Sequence, residues 1–535
     1  MIKKALADKQ ILLGLYFLLA AFILILTFDY AHRMLLGVSD DITHISLLED
    51  YQNGLYSTSD VFKNYLTEPA RQQRPLSGFF IAMNTVLGQH SVFAFYFIKF
   101  IYVVIFMISF RIFLRRETKD EFIIFLILLF SAIFPLGAGV YYVVIMWQMY
   151  WVLPIYFMHL YLLYNDDTRS FLLSGLLFLI CMFFNEYVVF LAPFVLYLIL
   201  VRIPTDKKVQ KLILAFVIPI ILAFIYRYYL VDIIYGNTYK FDEKLIAFTS
   251  DNFIRFIATT VKFLSVYWMS MMKNSFISIQ FYTVWDYMVL LIAFAISSII
   301  ITLPFFKKTY IIKKKDIVLV ILLFFLTFSF CAVTFYKPYI SAFNTRIFCM
   351  GLFVFPIMAT VIILAIKNIF LRQMVFFVLV MCSSITLISQ KNAWLFASEL
   401  NSKIIGEELM KNADLSQSKT ILIAADLKKY SQFVIEEPAL SHLGPVYKMM
   451  HHKYIDIDEI KLLPSSGDFM GFKYDRNQPN FYYTSPETIR NRNRTFRYPF
   501  YIFDYDAKTI QLIVNKQALE RYQKNYQNVH SELKD

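Results

Sequence analysis

The chain has 535 residues, is 58% hydrophobic and 18% aromatic, and carries a formal net charge of +13 at pH 7. A mean hydropathy of +0.55 excludes a soluble globular protein, and apolar runs of roughly 17–25 residues match what crosses a bilayer core of about 30 Å. The charge does not point to nucleic acid, because many of the Lys and Arg in the first 390 residues fall in short loops between apolar runs, where they set topology.

In chain order, spans are expected near 11–28, 91–111, 121–140, 143–163, 170–184, 187–202, 211–230, 283–305, 316–335, 346–366 and 371–390. The first lacks a small-residue cleavage site and is read as retained, not as a signal peptide. Lys3, Lys4 and Lys9 precede it, and Arg111, Arg115, Arg116 and Lys119 fall between the second and third. Arg202, Lys207, Lys208 and Lys211 follow the sixth, and Lys307, Lys308, Lys313, Lys314 and Lys315 the eighth. Lys367 and Arg372 flank the turn after the tenth. All these loops fall on one side, which the inside-positive bias makes cytoplasmic, together with the N-terminus. Residues 29–90, residues 231–282 and everything after Gln390 then lie outside the cell membrane. A single helix over 170–202 would reverse every later loop, so two short crossings broken at Asn185-Glu186 are expected.

Residues 76–88 are apolar but too short to span, and with Pro75 in front they read as an interfacial helix. Residues 253–279, with Tyr267 and Trp268, have the same character. The fold class expected is an all-α polytopic membrane domain of about eleven transmembrane helices over 1–390, followed by a small C-terminal α/β extracytoplasmic domain over 391–535. Within the latter, Thr420–Ala424 reads as a strand, 436–451 as a helix, and 498–503 with 509–514 as a strand pair around Asp504-Tyr505-Asp506. Cys181, Cys331, Cys349 and Cys382 all sit in apolar segments and form neither a metal motif nor a disulfide framework.

The candidate chemistry gathers in the segments expected outside. Asp40 and Asp41 stand just beyond the first span, where one carboxylate could take a proton from a sugar or lipid hydroxyl and the other orient it. Ser39-Asp40-Asp41 equally suits a solvated helix start. His44 is one helical turn from Asp40, a weak pair for a metal or a proton. Arg74, before Pro75, suits a phosphate at head-group level. Asn185 and Glu186 interrupt apolar sequence, where an ionisable group normally faces a cavity. Lys337 and Arg346 are basic on the outer side, against the bias, and are the better phosphate ligands. Trp147 and Gln148, with Tyr141, Tyr142 and Trp151, could line a sugar cavity or belong to an interfacial aromatic belt. Arg490, Arg492, Arg494 and Arg497 make a basic run that a solvated loop explains as well. No Walker loop, Rossmann fingerprint or zincin motif appears.

The layout resembles the GT-C superfamily of integral-membrane glycosyltransferases, and within it the bacterial Gtr-type glucosyltransferases and related multispan envelope proteins. The residues that carry the resemblance are the acidic pair Asp40-Asp41 after the first span, Asn53-Gly54 closing a helix, and Arg74-Pro75-Leu76 opening the next. What it implies is inverting transfer of a sugar from a polyprenyl-phosphate donor to an envelope glycan or lipid acceptor on the outer face. Asp40 would be the base, assisted by Asp41. Arg346, with Arg74 or Lys337, would hold the donor phosphate, and Glu186, Asn185, His44, Trp147 and Gln148 would line the cavity. A divalent cation, Mg or Mn, is required by some members and not by others. The alternatives are a lipid-linked oligosaccharide flippase and an envelope-assembly scaffold.

Overall fold

The computed structural model describes residues 2–34, 41–67, 72, 74–88, 91–135, 142, 147–203, 206–235, 251, 254, 257–258, 261, 268–307, 313–333, 351–403 and seven strands after residue 419. The chain divides into two compact units, residues 1–32 with 54–391, and residues 33–53 with 392–535.

Among the described residues, five helices are long and apolar enough to cross a membrane: Gln10–Arg33, Val92–Glu117, Lys208–Tyr235, Val284–Thr302 and Ile369–Leu395. The shortest has 19 residues, or roughly 28 Å at about 1.5 Å per residue. Shorter apolar helices accompany them at Pro75–Leu87, Glu121–Ile133, Met149–Leu162, Thr168–Phe184, Ala192–Arg202 and Gly351–Ala365. These are the elements of a helical membrane protein.

Helix ends follow local chemistry. Ser91 opens Val92–Phe97 by accepting the Ala94 N–H at 3.0 Å. Asp120 and Asp167 cap Glu121–Ile133 and Thr168–Phe184 in the same manner, Asp167 accepting from Ser170 N–H at 2.8 Å. The second expected span runs on to Glu117, so Arg111, Arg115 and Arg116 lie on the helix and not in a loop. Their side chains reach forward: Arg111 and Arg115 hold Glu121 at 3.0 and 2.6 Å. Between 168 and 202 the helix stops at Asn185, whose backbone is extended, and a 3-10 turn over Glu186–Leu191 leads into Ala192–Tyr197. The last helix is longer than the expected 371–390. It spans Ile369–Lys403, because no Gly or Pro interrupts it after Gln390.

In the first unit, side-chain bonds sort the helix ends into two groups. One group joins Arg202 to Glu117 and Asp316 at 2.5 and 3.2 Å, Lys211 to Asp166 at 2.9 Å, and Arg116 to Asn165 at 3.2 Å. Arg372, fully buried, belongs with it, donating to the Phe306 carbonyl at 2.9 Å. The other group joins Tyr30 to Tyr142, Tyr142 to Leu387, Tyr282 to Ile385, Arg227 to Met182 and Tyr226 to Gln72, each by a bond of 2.8–2.9 Å to a carbonyl. Between the groups the core is aromatic, with Phe110 stacked on Phe157 at 4.6 Å and Phe353 edge-on to Phe157 at 5.7 Å. Gly175 is needed where Thr168–Phe184 meets the helical segment Ile213–Val217, since a Cβ there would lie 2.2 Å from the Leu214 carbonyl oxygen.

The second unit holds the helix Asp41–Gln52 and the strands. β1 (Thr420–Ala424) lies between β2 (Glu459–Leu463) and β6 (Phe500–Asp506), parallel to both, and β7 (Gln511–Val514) runs antiparallel to β6. β3 (Ser466–Phe469), β4 (Phe472–Asp475) and β5 (Asn480–Tyr483) make an antiparallel sheet. Asp504-Tyr505-Asp506, expected as a turn, is paired strand, with Tyr505 opposite Leu512. The alternation of Tyr501, Phe503 and Tyr505 carries the strand through the aspartates. Residues 436–451 lie outside the described residues.

Candidate functional site

The first helix, Ile2–Arg33, runs unbroken past the expected end of the first span. Asp40 lies outside the described residues, and Asp41 is the first residue of the helix Asp41–Gln52. His44, three residues later, is buried. Gly54 has φ of +73°, the left-handed conformation that turns the chain sharply after Asn53. Ser57 and Asp60 then open Thr58–Thr67 reciprocally, with Ser57 Oγ donating to Asp60 Oδ2 at 2.6 Å. Those Ser57 hydrogen bonds hold the Asp60 carboxyl below the usual carboxylate range.

Arg74 stands at the cap position of Pro75–Leu87, half-buried. Its carbonyl accepts from Ser77 and Gly78 at 2.9 and 3.2 Å. Pro75 supplies the first-turn residue that needs no N–H partner. One face of this helix, with Phe80, Ile81 and Asn84, is buried, while Phe79 and Leu87 are exposed. Asn185 is buried where Thr168–Phe184 ends, and Glu186 begins the 3-10 turn. Lys337 and Arg346 lie outside the described residues.

Trp147 and Gln148 are both buried. Trp147 packs against Phe95 and Tyr96 at 5.9 and 5.6 Å, and against a residue that sequence reasoning missed. Lys99, wholly buried, places its ammonium 4.2 Å from the centre of the Tyr30 ring, 5.6 Å from Trp147 and 5.7 Å from Tyr142. The negative faces of three rings thus surround one cation. The signal was a lone Lys inside the apolar run of the second span.

A second group was missed for the same reason. Lys391 Nζ is ion-paired with Asp29 and lies 2.5 Å from Asp286 Oδ1, and all three side chains are buried. Asp286 is also the third residue of Val284–Thr302, where its Oδ2 accepts from Thr283 N–H at 2.8 Å and from the Thr283 hydroxyl at 3.1 Å. The triad joins the C-terminal part of the first helix, the start of Val284–Thr302 and the last helix. Charges in such a setting are retained only when paired, because each costs several kcal/mol to desolvate.

Among the described residues, no three His, Cys, Asp or Glu side chains come together as a metal site would need. No family model, curated protein or solved structure matches the chain.

Proposed function

We propose that the chain is an integral-membrane glycosyltransferase of GT-C type. It transfers a sugar from a polyprenyl-phosphate donor to an envelope glycan or lipid on the outer face. The observation that carries this reading is the helix opening at Asp41 just beyond the first apolar helix, closed by the left-handed Gly54. On this reading Asp40 is the base that takes the acceptor proton and Asp41 assists it. Arg346, with Arg74 at the head of Pro75–Leu87 or with Lys337, holds the donor phosphate. Asn185, Trp147 and Gln148, all buried, are assigned to the lining of the sugar cavity on this reading. A Mg or Mn ion is an optional companion of the carboxylates.

The same reading takes about eleven passes through the membrane, with the N-terminus in the cytoplasm. The two groups of helix ends support it, since the Arg- and Lys-rich group contains the loops assigned to the cytoplasm. The strands after residue 419 then belong to an extracytoplasmic α/β domain.

One observation favours a second reading. The buried Lys391, Asp29 and Asp286 triad is the kind of intramembrane charge found in carriers, which suits a flippase for a lipid-linked sugar. Mass spectrometry of envelope glycans decides between the two. A deletion strain should lose a sugar that wild type restores and Asp40→Asn/Asp41→Asn does not. Restoration by the double variant at normal membrane levels would reject the transferase mechanism.

A further inference from the structure

We infer that the inward face of the last helix around Leu387 is a contact site for the uncharged, hydroxyl-rich part of the ligand, the sugar itself. The inference rests on the reading of the chain as one that handles a lipid-linked sugar, and it serves the transferase and the flippase alike. It adds Ser383, Ser384 and Gln390, and gives Gln148 a specific role.

Ser383 and Ser384 precede Leu387 by four and three residues, and Gln390 and Lys391 follow it by three and four, so the five share one face. Leu387 lines a small, largely apolar cavity with Ile23, Phe106, Ser131, Tyr150 and Leu352, which come from five other elements. The shared face therefore looks into the interior of the bundle. The stretch of this helix that could cross a membrane is 56% buried, against 22–33% for the other four, so it is the central one.

The polar atoms on this face are unusual. The hydroxyls of Ser383 and Ser384, and both the oxygen and the nitrogen of the Gln390 amide, are buried without a hydrogen-bond partner among the described residues. The Gln148 Oε1 is in the same condition. In a hydrocarbon setting each such group is costly unless something satisfies it. The two positions are tied together: Tyr142 donates to the Leu387 carbonyl at 2.8 Å, and Lys99 lies close to the rings of both Tyr142 and Trp147.

Charge selects the ligand. The ammonium of Lys391 is shared by two carboxylates, and that of Lys99 rests against aromatic rings. Neither is placed to receive a phosphate. A carbohydrate hydroxyl both donates and accepts, which matches two amides and two hydroxyls beside aromatic rings. The four polar residues are buried and none lines the small cavity beside Leu387, so a hexose reaches them only as the surrounding side chains part, and weak binding by free sugar follows.

The test is saturation-transfer NMR on the full chain in lipid nanodiscs, with glucose, galactose, mannose and N-acetylglucosamine as probes. At least one sugar should receive saturation, inorganic phosphate should not compete, and Gln390→Leu should weaken the effect about fivefold, as loss of one hydrogen bond does. Gln148→Leu, on a different element, should do the same and decides the matter if Gln390→Leu fails to fold. No saturation of any sugar by wild type overturns the inference. So does an unchanged signal in both folded variants, which would mean that the amides hold buried water only. Glycan transfer that depends on Asp40 and Asp41 while Gln390→Leu binds sugar normally would discard this site and keep the transferase. Sugar binding lost in Gln390→Leu, with transfer indifferent to the aspartates, would keep the site and discard the transferase.

Discussion

Lys391 and Asp29 stand 362 residues apart in the chain and form a buried ion pair. Their contact closes the first unit by joining its first helix to its last. Asp286 extends the pair to the start of Val284–Thr302. Removing the ammonium would leave two carboxylates facing each other out of water. Lys391→Met is therefore expected to lower unfolding free energy by about 3–5 kcal/mol, the usual range for breaking a buried pair from one side. Denaturant unfolding in detergent, followed by tryptophan fluorescence, measures it. An effect below about 1 kcal/mol would mean that the triad is solvated in the membrane-embedded protein.

The close approach at Gly175 leads to a second expectation. A Cβ at this position meets the Leu214 carbonyl oxygen at 2.2 Å and the Pro219 ring at 3.2 Å. The first contact is to backbone, which cannot rotate away. Gly175→Ala should thus push Thr168–Phe184 off the helical segment Ile213–Val217 and destabilise by about 1–3 kcal/mol, as overpacking does. Gly14, whose Cβ would meet nothing within 4 Å, is the control: Gly14→Ala should be neutral or slightly stabilising. Thermal unfolding of the two variants side by side gives the comparison.

How much of this was legible in the sequence depends on the range of the cause. Helix starts at Ser91, Asp120, Asp167 and Pro75 have local signatures and lie near the expected boundaries. The break at Asn185 was legible through the charge pattern of distant loops. The extension of the last helix beyond Gln390 was not, because hydropathy falls there while no Gly or Pro stops the helix. Lys99, Asp29, Asp286 and Lys391 were passed over because each is a single charge in an apolar run. Their meaning lies in partners that only the folded bundle supplies. For the proposed acid-base pair the sequence placed Asp41 at a helix start, where it stands, while Asp40 lies outside the described residues.

Two exposed carboxylates give the protein an acid-side pH dependence. Hydrogen bonds from Ser57 depress Asp60, and hydrogen bonds from Ser170 depress Asp167. In the unfolded chain both return to the ordinary carboxylate range of about 4. A group depressed on folding adds stability above its unfolded pKa, and that contribution disappears as pH falls through its folded value. Stability should accordingly be level near neutrality and decline below about pH 4. Asp60→Asn and Asp167→Asn should flatten this decline while lowering the neutral-pH midpoint modestly. Melting temperatures recorded across the acid range, wild type against the double variant, would show no difference in slope if these caps were not formed.

The sorting of helix ends makes the last expectation, which concerns the membrane. Arg202, Glu117 and Asp316 meet at one end of the first unit, with Lys211, Asp166, Arg116 and Asn165 in the same group. Lys119, Lys207 and Lys367 are exposed in the turns beside it. An inside-positive bias puts this end in the cytoplasm, and Ser57, exposed before Thr58–Thr67, on the opposite side. A membrane-impermeant maleimide applied to intact cells should then label Ser57→Cys and leave Lys119→Cys, Lys207→Cys and Lys367→Cys untouched until the membrane is opened. The native Cys181 is buried and Cys382 half-buried, and the unsubstituted chain sets the background. Labelling of any of the three lysine positions in intact cells would place an end of the bundle on the wrong side. The outer location of the acidic pair would then have to be abandoned, because the same loop count assigns both.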